Sequence, residues 1–241
     1  MSPGSAGTIF SLRREMVEIG ARLYERGLIV ASEGNLSARL PDGRVLVTPA
    51  GMCKGRMKPE DLVVVERSGD HAQGTRKASS EVKMHLAAII ARDDVHACVH
   101  AHPPYATAFA VAGIPLLDCV LPEVVATLGS IPLTDYATPS TPEVGESLMK
   151  YIEQYDAFLL KNHGVLTLAG DLESAFQKME TVERLAQIVH LARSLGKVDT
   201  LSCQDVETLF NLTDRLHSRF GGSDTPICGT CRVGDPGHTH E

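Results

Sequence analysis

The sequence predicts a single mixed α/β domain, a central sheet covered by helices in layers, and three observations carry that expectation. The 241 residues include 43% hydrophobic and 22% charged ones, enough to bury a substantial core in one large domain. Periodicity alternates along the chain between helical and extended patterns, as it does where helices pack on a sheet. No shift in composition marks a linker, and no internal repeat is visible.

The elements follow in order. An amphipathic helix is predicted from Ile9 to Arg26, with Leu12, Met16, Ile19 and Leu23 on one face and Gly27 as its stop. Short apolar runs then read as strands around Ser37 to Leu40, Val45 to Thr48 and Leu62 to Glu66. Ser79 and Ser80 sit where an N-cap belongs, ahead of a helical pattern through Leu86, Ala87, Ile89 and Ile90. Next come a strand over Ala97-Cys-Val-His-Ala-His102, a helix from Pro104 to Ala112 and a strand near Ile131 to Leu133. Thr141 is the predicted cap of a helix with Pro142 in its first turn, reaching about Tyr155. A strand around His163 leads into a long helix from Asp171 to Leu195, ended by Gly196. Its Leu172, Ala175, Met179, Val182, Ala186 and Val189 fall at helical spacing and read as packing.

Three histidines carry the chemistry. Side chains alternate faces along a strand, so His100 and His102 project from one face about 6.6 Å apart, close enough to converge on one ion. His163, between Phe158-Leu-Leu and Gly164-Val-Leu-Thr, is placed to bring a third imidazole. Three protein ligands with one position open describe a catalytic zinc site. Taken alone, a His-x-His pair reads as ordinary core or surface residues, and it is the company of these histidines that lifts them. Their company is Ala78-Ser-Ser-Glu81-Val-Lys-Met-His85, where a helix start and two hydroxyls suit an anion and Glu81 lies one turn before His85. Two further turns, Ala31-Ser-Glu-Gly34-Asn35-Leu-Ser37 and Val47-Thr-Pro-Ala-Gly51 followed by Lys54, offer backbone amides to an oxyanion; each by itself is a plain loop.

In this order the segments resemble the class II aldolase/adducin family, from about Ile9 to about Gly196. The resemblance implies a mainly antiparallel sheet, a catalytic domain over residues 8–220 and a homotetramer with active sites near subunit interfaces. It implies that His100, His102 and His163 hold Zn²⁺, with Mn²⁺ or Co²⁺ as substitutes. Glu81 is then the catalytic acid/base and a fourth ligand in the resting enzyme, and Gly34, Asn35, Gly51, Ser79 and Ser80 cradle the substrate phosphate. The implied reaction is retro-aldol cleavage of a (deoxy)ketose 1-phosphate, such as fuculose 1-phosphate or 5-deoxyribulose 1-phosphate, into dihydroxyacetone phosphate and an aldehyde. Zinc would act as the Lewis acid, and partial burial would raise the Glu81 carboxyl toward neutrality. Two departures bear on the substrate: Ala50 stands where the fuculose phosphate enzymes have threonine, and Ile114-Pro-Leu-Leu-Asp118-Cys119 offers no tyrosine for proton transfer at the departing aldehyde oxygen. Related members dehydrate methylthioribulose 1-phosphate, epimerise ribulose 5-phosphate or decarboxylate a 3-oxo-acid phosphate; Glu81, where epimerases carry aspartate, argues against the second. A non-catalytic zinc-binding scaffold is the alternative from another class.

A net charge of −7 gives no electrostatic case for nucleic acid or an anionic membrane. No run reaches the roughly 18 apolar residues of a span, and the first residues lack the basic and apolar regions of a signal peptide. Cys53, Cys98, Cys119 and Cys203 show no disulfide-like spacing, which with those absences predicts a cytoplasmic protein. The tail over residues 221–241 contains Cys228-Gly-Thr-Cys231 and His238-Thr-His240, which read either as a four-ligand structural zinc group or as incidental residues of a Gly- and Pro-rich end.

Overall fold

The structure, a computed structural model, describes residues 5–211 and residue 231. Seven strands, β1 (Asn35–Arg39), β2 (Val45–Val47), β3 (Val63–Val65), β4 (His71–Gln73), β5 (Ala97–Ala101), β6 (Ala157–Leu160) and β7 (Gly164–Ala169), form one sheet in the order β4-β3-β2-β1-β5-β7-β6. All neighbouring strands pair antiparallel, and a single parallel bridge between Leu133 and Leu159 is the mixed component. The helices are α1 (Ser5–Glu25), α2 (Val82–Ala91), α3 (Pro104–Ala112), α4 (Pro122–Thr127), α5 (Pro142–Met149), α6 (Leu172–Leu195) and α7 (Cys203–Asn211).

Alternation along each strand divides the core in two. Leu36, Ala38, Leu46, Val64, Val99 and Val165 pack on one face with side chains of α1, α3 and α6. Val45, Val47, Val63, Val65, Cys98, Leu166 and Leu168 pack on the other with α2 and α5. A sheet covered on both faces buries both sets of side chains, which is why β5 is apolar almost throughout and shows no polar alternation. The same period of two puts Asn35 and Ser37 of β1 and His100 of β5 on the α2 side, where Glu81 and His85 also lie.

The predicted fold class holds, and the differences are local. His163 lies in the turn between β6 and β7, outside any strand, because Asn162 takes a left-handed backbone (φ 57°) that stops the run. The segment from Ile131 to Leu133 makes only isolated bridges, to Leu116 and Leu159. Thr141 occupies the N-cap of α5 without capping it; its hydroxyl donates to Thr138 O, and the helix ends at Met149. Glu81 is itself the N-cap position of α2, with the serines in the preceding turn. Asp171 caps α6 by accepting from Ser174 N at 2.7 Å. The short elements β4, α4 and α7 were not foreseen, and β4, with both ends exposed, carries no hydrophobic alternation to betray it.

The cysteines require a correction. Cys203 of α7 is joined to Cys231 by a disulfide, with Cα atoms 5.3 Å apart and a sequence separation of 28. Such a separation carries no local signal, since the pair is set by where the chain packs, beside buried Cys119, Val125 and Val206. The thiols therefore no longer argue for a reducing compartment. Cys231 is also committed elsewhere than to a tail zinc group; Cys228, His238, His240 and the predicted boundary at residue 220 lie outside the described residues. No helix among the described residues is long and apolar enough to cross a membrane.

Candidate metal centre and active site

The adjacency of β1, β5 and β7 builds the site. Antiparallel register sets Asn35 opposite His100, and His100 opposite Leu166. His102 follows the end of β5 and is anchored by its own N–H, which donates to Leu28 O at 3.1 Å. His163 closes from the β6–β7 turn, its N–H donating to Leu160 O at 3.0 Å. The three imidazoles converge with ring centroids 4.7, 4.9 and 5.2 Å apart, and one ligand nitrogen from each lies within 4.8 Å of the others. Gly164 makes room for them. A Cβ there would stand 2.5 Å from His102 Cδ2 and 2.6 Å from Ala101 O.

Protonation follows from the partners. His100 is fully buried and donates from Nδ1 to Val165 O at 2.8 Å, so its Nε2 carries the lone pair. Burial pushes its pKa down to about 3, which keeps the ring neutral and competent as a ligand. That Nε2 lies 3.2 Å from His102 Nε2 and 3.4 Å from Glu81 Oε2, while His163 Nε2 lies 3.1 Å from Glu81 Oε1. Ligand atoms on a tetrahedral zinc with bonds of about 2.05 Å are roughly 3.3 Å from each other. The spacing and the imidazole donors therefore fit a divalent metal, with Glu81 beside it.

Glu81 is turned inward from the start of α2, its backbone N–H donating to Ser79 Oγ at 3.3 Å, and its Oε2 accepts from Asn35 Nδ2 at 2.7 Å. Burial by itself raises its carboxyl, but His163 and the Asn35 amide outweigh burial and hold it well below the usual carboxylate range. The expectation of a carboxyl raised toward neutrality is thereby corrected: partners that favour the anion dominate over desolvation. One turn on, buried His85 pairs with Ser37 at 2.8 Å, and burial lowers its pKa to about 4.

The three anion-friendly segments also meet. Ser79 N donates to Thr48 O and Ala50 N to Lys77 O, laying the Thr48–Gly51 turn beside the start of α2. Thr48 Oγ1 in turn accepts from Leu36 N at 3.1 Å, tying in β1. Gly34 has φ +68°, and a Cβ there would meet His100 O at 2.8 Å; Gly51, φ +65°, has open space around it. Asn35 is 3% exposed and its Nδ2 donates to Glu81, while its Oδ1 is buried with no hydrogen-bond partner. Lysines are seldom buried. Here Lys54 is 2% exposed and its Nζ donates to Ser32 O at 2.7 Å and Met52 O at 2.8 Å, bolting two of the segments together.

Residues 14–190 match the model of the class II aldolase and adducin N-terminal domain. The chain belongs to the class II aldolase/adducin family. It is 36% identical over 203 residues to a 3-oxo-tetronate 4-phosphate decarboxylase of Pectobacterium atrosepticum, a match covering 82% of this chain and 91% of that one. It is 32% identical over 201 residues to a 5-deoxy-D-ribulose 1-phosphate aldolase of Bacillus thuringiensis serovar kurstaki, covering 82% and 92%. A solved L-fuculose 1-phosphate aldolase superposes with a TM-score of 0.79 at 33% identity, covering 84% of this chain and 95% of that one. As a class II aldolase family member the chain is a lyase, and its three-histidine group is where such a metal-dependent enzyme can hold its ion.

Proposed function

We propose that this class II aldolase relative is a zinc-dependent lyase that cleaves a (deoxy)ketose 1-phosphate into dihydroxyacetone phosphate and an aldehyde. The observation that carries the reading is the Glu81 carboxylate held by Asn35 at the mouth of three converging imidazoles. When bound, the metal supplies Lewis-acid stabilisation of the negative charge that develops beside the substrate carbonyl. Glu81 then moves a proton to or from the carbon that acquires that charge, and Asn35 fixes which oxygen does so. His100 is locked to one tautomer by Val165 O and so presents an unchanging ligand.

The phosphate does not react. Gly34, Asn35, Gly51, Ser79 and Ser80 hold it, and that remote binding energy fixes the reacting carbons against Glu81. Lys54 keeps this cradle assembled. Lys54→Met leaves two carbonyls without their charged donor and is expected to raise KM for the phosphorylated substrate by about tenfold or more, with kcat changed little. Steady-state kinetics against substrate concentration reads the split.

A second reading is decarboxylation of a 3-oxo-acid phosphate, favoured by the 36% identity to the Pectobacterium enzyme and by Ile114–Cys119. That stretch lacks a tyrosine to take the hydroxyl proton as an aldehyde departs, and loss of carbon dioxide from an ionised carboxylate needs no such acceptor. Both reactions break a carbon–carbon bond next to carbonyl-stabilised charge and use the same Glu81 proton. Zinc-loaded protein with dihydroxyacetone phosphate in D₂O is expected to exchange a carbon-bound proton, seen by NMR. Exchange is expected on both readings, because loss of CO₂ from 3-oxo-tetronate 4-phosphate leaves the same charged carbon for Glu81 to protonate; CO₂ release from that substrate with no cleavage of a ketose 1-phosphate moves the assignment to the decarboxylase. We take the protein to act in the cytoplasm, where ionised sugar phosphates are retained, and as a homotetramer, which light scattering tests directly.

A further inference from the structure

The Glu33 side chain sits in an awkward place for a phosphate-binding turn. It directly precedes Gly34, so a free carboxylate would repel the anion those amides are suited to hold. The structure turns it away. Glu33 Oε2 lies 3.3 Å from His102 Nδ1, the ring nitrogen opposite the Nε2 that approaches His100 Nε2 at 3.2 Å. Its position is fixed by a doubly closed turn, in which Glu33 N donates to Val30 O at 3.0 Å and Val30 N donates to Glu33 Oε2 at 3.3 Å, with Ala31 left-handed at φ 48°. Two residues upstream of that turn, Leu28 O accepts from His102 N. The Leu28–Glu33 segment thus grips His102 at the backbone and at the outer edge of its ring.

We infer that Glu33 is a positioning residue for the metal centre: its carboxylate accepts the Nδ1 proton of His102, fixing the tautomer and ring orientation that leave Nε2 free for the ion. His100 has a backbone carbonyl in that role, and His102 has a carboxylate instead. A carboxylate behind a ligating imidazole both orients it and makes it a stronger donor, and loss of such a partner costs about 10–100-fold in metal affinity. It also removes the conflict in the turn, because the negative charge is aimed at the ring.

The inference rests on the proposed metal centre, and one experiment separates the two. Wild-type, Glu33→Ala and Glu33→Gln apoproteins are titrated with zinc against a chromophoric chelator, and their thermal unfolding without metal is recorded. The expected result is zinc binding weakened by about 10–100-fold in Glu33→Ala. Glu33→Gln, which keeps an acceptor without the charge, is expected to fall between it and wild type. The apoproteins should melt together, since a turn residue 39% exposed at its side chain adds little to folding. Equal zinc affinity in wild type and Glu33→Ala would overturn the inference. So would an apoprotein melting temperature that drops in step with affinity, which would make Glu33 a turn closure only. Failure of the wild type to bind zinc would overturn the metal centre itself, and the role of Glu33 with it.

Discussion

Glu81→Gln is expected to lower turnover by about two to four orders of magnitude while leaving the fold and most of the metal affinity in place. The substitution keeps the size of the side chain and one carbonyl oxygen, so the packing at the start of α2 survives. What it removes is the group able to carry a proton. Glu81 lies 3.4 Å from His100 and 3.1 Å from His163 and is held anionic by His163 and Asn35. A neutral amide reproduces the contacts only in part and cannot take up the proton the reaction displaces. Zinc content by atomic absorption, the far-ultraviolet circular dichroism spectrum and single-turnover rates read the three parts of the expectation separately. A variant that keeps zinc and turns over at the wild-type rate would show that another group is the base.

The second large effect is expected at Gly164→Ala, a change of one methyl group outside the set of reacting side chains. The new Cβ would lie 2.5 Å from His102 Cδ2 and 2.6 Å from Ala101 O, the latter a backbone atom of β5 in the middle of the sheet. His102 can move, and moving it spoils the ligand set. Ala101 O cannot move without parting β5 from β7, whose pairing runs from Ala101–Val165 to Ala97–Ala169. Overpacking of this kind typically costs about 1–3 kcal/mol, and the metal centre absorbs the part relieved by rotating His102. The expectation is therefore a lower urea midpoint together with zinc affinity reduced by at least tenfold. Unchanged zinc binding with lowered stability would mean that β7 shifts as a unit and carries the turn at His163 with it.

Much of this protein was legible before any coordinates. The His100–His102 spacing, the Glu81–His85 turn and the glycines at 34 and 51 are local patterns, and local patterns follow from backbone geometry that a linear sequence carries intact. The long helix α6 was read from its apolar spacing and its Asp171 cap, and the structure has both. Other features had no local mark. His163 was assigned to a strand because apolar runs flank it, and only the left-handed Asn162 shows that it is presented from a turn. Nothing local marks Lys54 or Glu33 either; one is buried among carbonyls 22 and 2 residues away, and the other faces the His102 ring. The Cys203–Cys231 bond joins residues 28 apart for which spacing predicts nothing.

The division has one physical cause. The sequence by itself determined the fold class, the family and the kinds of groups at the centre, because hydrophobic period, turn residues and short motifs act over a few residues. The tertiary structure decided which lone pairs converge, which charges are paired and where the Glu81 carboxyl titrates. Those depend on distances of about 3 Å between residues far apart in the chain, where partner and dielectric outweigh the intrinsic chemistry of the side chain.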